Sequence, residues 1–252
     1  MNTNSFIIKK LDLTPENINI TIMCIKQSTH IILDTNKIFN FSKFKNIIDI
    51  IFKQDFNKPI ENVTIDDKTY SSILPPNITH LEFGYSFNQL INNLPSSLTH
   101  LTLCNSFNQP IDNLPPNLIY LKIGVSFNQP INNLPSGLLY LELGSNFNHP
   151  IDNLPPNLET LILGIHFNQS IDNLPQSLKH LELSLCFNQD INNLPNTLEF
   201  IRFCSDSYYY NLNILSDNIK EIEINRLNTN LINKKDTFKN KDKIKIYGFG
   251  LI

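Results

Sequence analysis

Alanine and tryptophan are absent from this chain of 252 residues, which leans instead on Asn, Ile, Lys, Phe and Leu. That bias reads as the imprint of an AT-rich coding sequence rather than as a physical requirement. Other absences exclude whole classes of function. No run of 18 apolar residues occurs, so no membrane-spanning helix is expected. The start, Met1-Asn2-Thr3-Asn4-Ser5, has no basic segment followed by an apolar one, so a secretory signal is not expected either. The 7 glycines are scattered and build no phosphate-cradling loop. The 4 cysteines make no disulfide framework, since Cys104 and Cys204 share a repeat position but sit five repeats apart, roughly 24 Å at strand spacing. Reduced thiols and a missing signal predict an intracellular, cytoplasmic protein. Bases are scarce where the chain is most regular: from Leu74 to Phe200 nine acids face two bases, Lys122 and Lys179. Nucleic-acid phosphates require clustered Lys and Arg, so nucleic acid is not the expected partner. The balance reverses from Lys220 onward, where eight bases meet four acids; that tail reads as solvated and edge-protecting.

What the chain has in abundance is repetition. Phe-Asn recurs six times at a spacing of 20 residues, from Phe87-Asn88 to Phe187-Asn188, and Leu-Pro seven times, from Leu74-Pro75 to Leu194-Pro195. Counting each unit from its Leu-Pro, as in LPSSLTHLTLCNSFNQPIDN from Leu94, apolar residues hold positions 1, 5, 8, 10, 14 and 18, and Asn holds 15 and 20. Positions 8 and 10 lie two apart and share one face of an extended segment. The remaining anchors, interleaved with Pro and Asn, suit turns and leave no room for a helix. A strict period of this length denotes a solenoid whose units bury their apolar sides against one another. The fold expected is therefore a β-rich solenoid with one parallel sheet and irregular return segments.

The pattern fades at both ends. Ile47, Ile50, Phe52, Phe56-Asn57, Ile60 and Asn62 match one further coil, and Leu215, Ile219, Ile222 and Ile224 another. About nine coils, stacked at ~4.8 Å, make a rod roughly 40 Å long. A single domain is expected over 1–252: an N-terminal cap over 1–45, coils over 46–226 with an insertion at 63–73, and a C-terminal cap over 227–252. Asn17–Ile25 and His30–Asp34 read as extra strands in the first cap, and Lys243–Tyr247 as an edge strand in the second. Position 11, held by Gly84, Cys104, Gly124, Gly144, Gly164, Ser184 and Cys204, is expected to require a small side chain.

With positions 8 and 10 inside, positions 7 and 9 point outward. Position 7 is a stripe of rings: His80, His100, Tyr120, Tyr140, His180 and Phe200, with Thr160 between. Position 9 carries Glu82, Lys122, Glu142, Glu182 and Arg202 among variable residues. Aromatic rings anchor strong interfaces and variable neighbours confer selectivity, so these residues are the candidate partner-binding set. The same residue types are also strand formers that pair across a sheet, and the two readings are compatible. His80 and His100 lie on adjacent strands near Glu82, but the next coil supplies Tyr120 and Lys122, which complete a tetrahedral metal site poorly. No metal, cofactor or catalytic set is expected. Asp112, Asp152 and Asp172 share position 19 with Asn92, Asn132 and Asn192, the mark of turn formers rather than of a carboxylate cluster.

The unit LPxxLxxLxLxxxFNxxIxN resembles the FNIP repeat, a variant of the leucine-rich repeat, in motifs such as Phe107-Asn108-Gln109-Pro110-Ile111. The resemblance covers residues 74–200 cleanly and 44–62 and 215–224 loosely. It implies a leucine-rich-repeat-like stack in a family of social amoebae and of large viruses of amoebae, which suits the AT-rich composition. It also implies an interaction scaffold that binds another protein. One alternative is the substrate-recognition part of a ubiquitin-ligase adaptor, although residues 1–45 show no F-box start; another is a β-helix enzyme acting on carbohydrate. Ordinary leucine-rich repeats carry an Asn three residues after the second strand Leu, where this chain has Ser86, Ser106, Ser126, Asn146, His166 and Cys186. The Asn columns at positions 15 and 20 are expected to take over that role, buried and bonded to main-chain groups of neighbouring coils.

Overall fold

The computed structural model describes residues 5–9, 30–34, 40–53, 56–65, 68–206 and 210–248; the strand expected over Asn17–Ile25 lies outside them. The chain divides into two compact units, Met1–Phe127 and Asn128–Ile252.

In the first unit, β1 (Ser5–Lys9), β2 (His30–Asp34) and β3 (Asp49–Phe52) precede an antiparallel hairpin of β4 (Glu61–Ile65) and β5 (Lys68–Ser72). The hairpin occupies the insertion seen in the sequence. Then follow β6 (His80–Phe83), β7 (His100–Leu103) and β8 (Tyr120–Ile123). Except for the hairpin, these strands pair in parallel in chain order, β3 meeting β6 directly. Ile50, Leu81, Leu101 and Leu121 stand opposite one another, so each coil adds one residue to every column. Side chains alternate along each strand: Leu81, Phe83, Leu101, Leu103, Leu121 and Ile123 are buried, whereas His80, Glu82, His100, Thr102, Tyr120 and Lys122 face out.

The second unit repeats the plan with β9 (Tyr140–Glu142), β10 (Thr160–Ile162), β11 (His180–Leu183), β12 (Phe200–Phe203), β13 (Glu221–Asn225) and β14 (Ile244–Tyr247), all parallel. Leu141, Leu161, Leu181, Ile201, Ile222 and Ile244 share one column. The one described α-helix, α1 (Thr229–Ile232), lies beyond the coils between β13 and β14, and the side chain of Asn228 caps it by accepting the N–H of Leu231. Within the coils the returns are turns. Leu98 donates its N–H to the carbonyl of Pro95 at 3.1 Å, and Phe107 to that of Cys104 at 3.1 Å, a pair of turns recurring from coil to coil.

The Phe column is fully buried, and its rings stack nearly parallel at 6.2 Å between Phe87 and Phe107 and 6.1 Å between Phe147 and Phe167. Equivalent side chains in equivalent poses are related by the coil-to-coil translation, so these distances measure the repeat at that corner. They exceed the ~4.8 Å of adjacent strands. Within each unit the coils splay toward the return side, and the strand face is the concave one.

The two Asn columns behave differently. At position 15 the side-chain oxygen of one coil accepts the N–H of the same Asn in the next, as from Asn108 to Asn88 at 2.9 Å and from Asn188 to Asn168 at 3.0 Å. This column does bond main-chain groups, but from half-buried or exposed positions. Position 20 departs from expectation: it is exposed, and Asn173 donates to the side chain of Asp152 at 2.9 Å, Asn193 to that of Asp172 at 3.0 Å. Its partners are the position-19 side chains one coil back. Position 11 is confined as expected at Gly84, Gly124 and Gly164: a Cβ on Gly164 would lie 2.0 Å from the carbonyl oxygen of Gly144.

Candidate docking faces

On the face of the first unit the position-7 rings stack. His80 and His100 lie 4.2 Å apart between centroids, tilted by 13°, and Tyr120 follows His100 at 5.5 Å. Each imidazole is held from below, the Nδ1 of His80 lying 2.9 Å from the Thr79 hydroxyl and that of His100 2.9 Å from the Thr99 hydroxyl. Burial lowers the pKa of His100, and the neighbouring His80 adds to the effect, so the neutral ring is favoured. The register extends this column to Asp49, position 7 of the first counted coil, and to His30 beyond the counted coils: Asp49 stands opposite His80, and His30 opposite Asp49. Asp49 keeps a raised pKa because burial outweighs the attraction of His30 and His80. Glu82 and Lys122 flank the stack at position 9, with Glu82 exposed.

The second unit presents a more tightly knit face. The Tyr140 hydroxyl donates to Glu142 at 2.9 Å. His180 stacks on Phe200 at 4.1 Å and meets Glu182 at 3.0 Å. Arg202 is clamped between carboxylates, donating to Glu182 and, at 2.6 Å, to Glu223, while its guanidinium lies over the rings of Phe200 and Tyr247. Burial would raise the pKa of Glu182, but the hydrogen bond from His180 and the charge of Arg202 prevail and lower it. Arg202 is thus an organiser of the face, its charge already matched by Glu182 and Glu223. The partner residues Glu223 and Tyr247 lie outside the clean repeats and were not singled out in the sequence. Beside this face Glu159–Lys179 and Glu199–Lys220 form ion pairs, each at 2.7 Å. These pairs are largely exposed and contribute little to stability.

All six ring residues therefore point out of their sheets, as do Glu82, Lys122, Glu142, Glu182 and Arg202. Cys104 and Cys204 line the adjoining position-11 column, where burial pushes both thiols up and makes them poor nucleophiles. Among the described residues no group of three or more His, Cys, Asp or Glu is placed to hold a metal ion, and no helix is long and apolar enough to cross a membrane.

Comparison with known proteins places these features. The family described as FNIP Repeat matches residues 68–106, 107–146, 131–166, 147–186 and 167–206. Among solved structures, CroV588, a giant-virus protein described as a novel circular LRR protein, is 34% identical with a TM-score of 0.65 over 79% of this chain. The match covers 34% of the CroV588 chain, so this protein spans about a third of that length. YopM from Yersinia enterocolitica WA-314 is 20% identical with a TM-score of 0.44, over 79% of this chain and 46% of its own. No curated protein matches significantly.

Proposed function

The chain belongs to the FNIP-repeat family, whose repeats span residues 68–206 of it, and we propose that it is a non-catalytic scaffold holding another protein on its strand faces. Repeats of this leucine-rich-repeat-like fold commonly mediate contacts between proteins, and the family and its fold neighbours are generally non-catalytic. The observation that carries the reading is the outward row of stacked rings, His80, His100 and Tyr120 in one unit and His180 with Phe200 in the other. Rings already fixed by stacking lose little further freedom on binding and offer large contact areas. Charge narrows the partner. With nine acids against two bases from Leu74 to Phe200, a protein presenting basic side chains is steered inward, and nucleic acid is repelled. We place this encounter inside the cell, the setting that suits the cysteines of the described residues, Cys104, Cys186 and Cys204, none of them bridged.

A photo-crosslinking side chain placed at Tyr120 should capture the partner in cells, as should one at Tyr140. The same group at Leu90 or Pro110, exposed on the return side, should not. Capture from Leu90 and Pro110 without capture from either tyrosine would move the binding surface off the strand face.

A further inference from the structure

We propose that the strand face of the second unit carries a slot for an arginine side chain of the partner protein, above Thr160 and Ile162 and between Tyr140 and His180. This rests on the reading of the strand face as a docking surface and names the group that the face takes.

The position-7 column of this unit runs Tyr140, Thr160, His180 and Phe200 on neighbouring parallel strands. His180 stacks on Phe200 at 4.1 Å with a tilt of 12°. At Thr160 the column skips a ring, which leaves a gap between Tyr140 and His180. Both walls of the gap are held in the same pose. The Tyr140 hydroxyl donates to Glu142 at 2.9 Å and the His180 Nε2 meets Glu182 at 3.0 Å, each ring reaching the glutamate two residues along its own strand. Two strand spacings, ~9.6 Å, separate the walls. A planar group seated midway lies ~4.8 Å from each, a stacking distance and within the ~6 Å reach of a cation–π contact.

Position 9 repeats the omission. Across five strands it runs Glu142, Ile162, Glu182, Arg202 and Glu223. Arg202 stands between Glu182 and Glu223, donates to both, and lies over the Phe200 ring at 5.5 Å. Ile162 holds the equivalent place between Glu142 and Glu182 without a cation. The chain thus builds at Arg202 what it leaves unfilled at Ile162: a guanidinium between two carboxylates, beside a ring. Glu142 and Glu182 each touch the tip of one wall ring, so their carboxylates stand level with the gap. A carboxylate has about four acceptor sites, more than these contacts use. Glu159, at the base of the Thr160 strand, is already paired with Lys179 at 2.7 Å.

Arginine fits this gap better than its competitors. Lysine brings charge without a plane, and an aromatic ring brings a plane with nothing for the carboxylates; a guanidinium brings both. Its methylene stem can rest on Ile162. The excess of nine acids over two bases from Leu74 to Phe200 draws the cation in.

The probe is N-acetyl-arginine amide, titrated into the purified chain while the ring signals of Tyr140 and His180 are followed by NMR. Saturable shifts at both rings are expected. The lysine amide, charged but not planar, and the citrulline amide, planar but neutral, should each bind about tenfold more weakly. So should phenylalanine amide. Thr160→Tyr, which restores the ring that Tyr120 and Tyr140 carry at this repeat position, should abolish binding. Ile162→Arg, which places the chain's own guanidinium between the two glutamates, should do the same by a different route, and backbone amide spectra check the fold of both variants. No saturable shift with arginine, equal affinity for the three probes of arginine, lysine and citrulline, tighter binding of phenylalanine amide, or full arginine affinity in either folded variant would overturn the slot. Capture of the partner from a photo-crosslinker at Tyr120 that survives Thr160→Tyr would also remove the slot, while leaving the docking face standing.

Discussion

The side chain of Asn148 accepts the backbone N–H of Asn168, one coil further on, at 2.9 Å, and also an N–H of the Gln169 side chain at 3.1 Å. One oxygen thereby ties two coils together outside the sheet. Asn148→Leu leaves both donors without this acceptor. Because Asn148 is exposed, water can reach them, so the expected loss is near the lower end of the usual range, about 1 kcal/mol. Asn148→Asp keeps an acceptor and should cost less. Urea denaturation of both variants checks the order, and equal stability of Asn148→Leu and the parent would remove the ladder from the account.

The buried rings should weigh more. Phe167 is wholly buried and stacks between Phe147 and Phe187. Phe167→Ala should cost about 3–5 kcal/mol, and because coils contact chiefly their neighbours, the loss should appear first around this coil. Hydrogen exchange resolved along the chain reads both effects. Uniform protection in the variant would contradict the localisation.

Backbone proximity makes a different kind of demand at position 11. The Cβ added in Gly164→Ala would meet the carbonyl of Gly144 at 2.0 Å, and main chain there cannot swing aside as a long side chain would. The expected cost is about 1–3 kcal/mol, the range for overpacking. Ser184 and Cys204 occupy the same repeat position one and two coils later, so tolerance depends on the local approach of the coils. A melting temperature for Gly164→Ala no lower than that of the parent would disprove the clash.

Stability should fall in two steps on acidification. His100 has a pKa below its ordinary 6.5, so the unfolded chain binds its proton more readily, and stability declines as pH drops from about 6.5 through the lowered value. Glu182 is depressed below its ordinary 4.5; its contribution is present above that pH and is lost as pH falls through the folded value. His100→Phe should erase the upper step and leave the lower one, and Glu182→Gln should shrink the lower one and leave the upper. Denaturation midpoints between pH 7 and pH 3 decide it.

The regular positions were legible in the sequence because a fixed period makes every coil a copy of its neighbour. The matches at Ile50 and Phe52, and at Ile222 and Ile224, fall in the register read for them. What escaped was whatever broke the count. Tyr210-Asn211 takes the place of Phe-Asn, its ring stacking on Phe187 at 6.4 Å and its hydroxyl donating to the Phe187 carbonyl. It lies seven residues after Phe203 instead of four, so a template of 20 passes over it. Recurrence was also silent about partners. It marked the amides at positions 15 and 20 alike as needed, but only geometry separates a main-chain acceptor from a surface donor. Arg202 reads as one more variable charge on the strand, whereas the carboxylate and ring that complete its clamp, Glu223 and Tyr247, come from strands outside the clean repeat.

The unequal spacing across a coil has a mechanical meaning. In the first unit neighbouring strands stand ~4.8 Å apart, while the paired phenyl rings at the far corner stand 6.2 Å apart. Each coil is a wedge, like a voussoir in an arch, and the bend of a unit is the sum of many equal tapers. Trimming one phenyl ring therefore does more than open a hole, for it removes the spacer that keeps one side of a wedge wide. The stack would relax toward a straighter profile at that joint, and the rings on the inner face would spread apart although none of them had been altered.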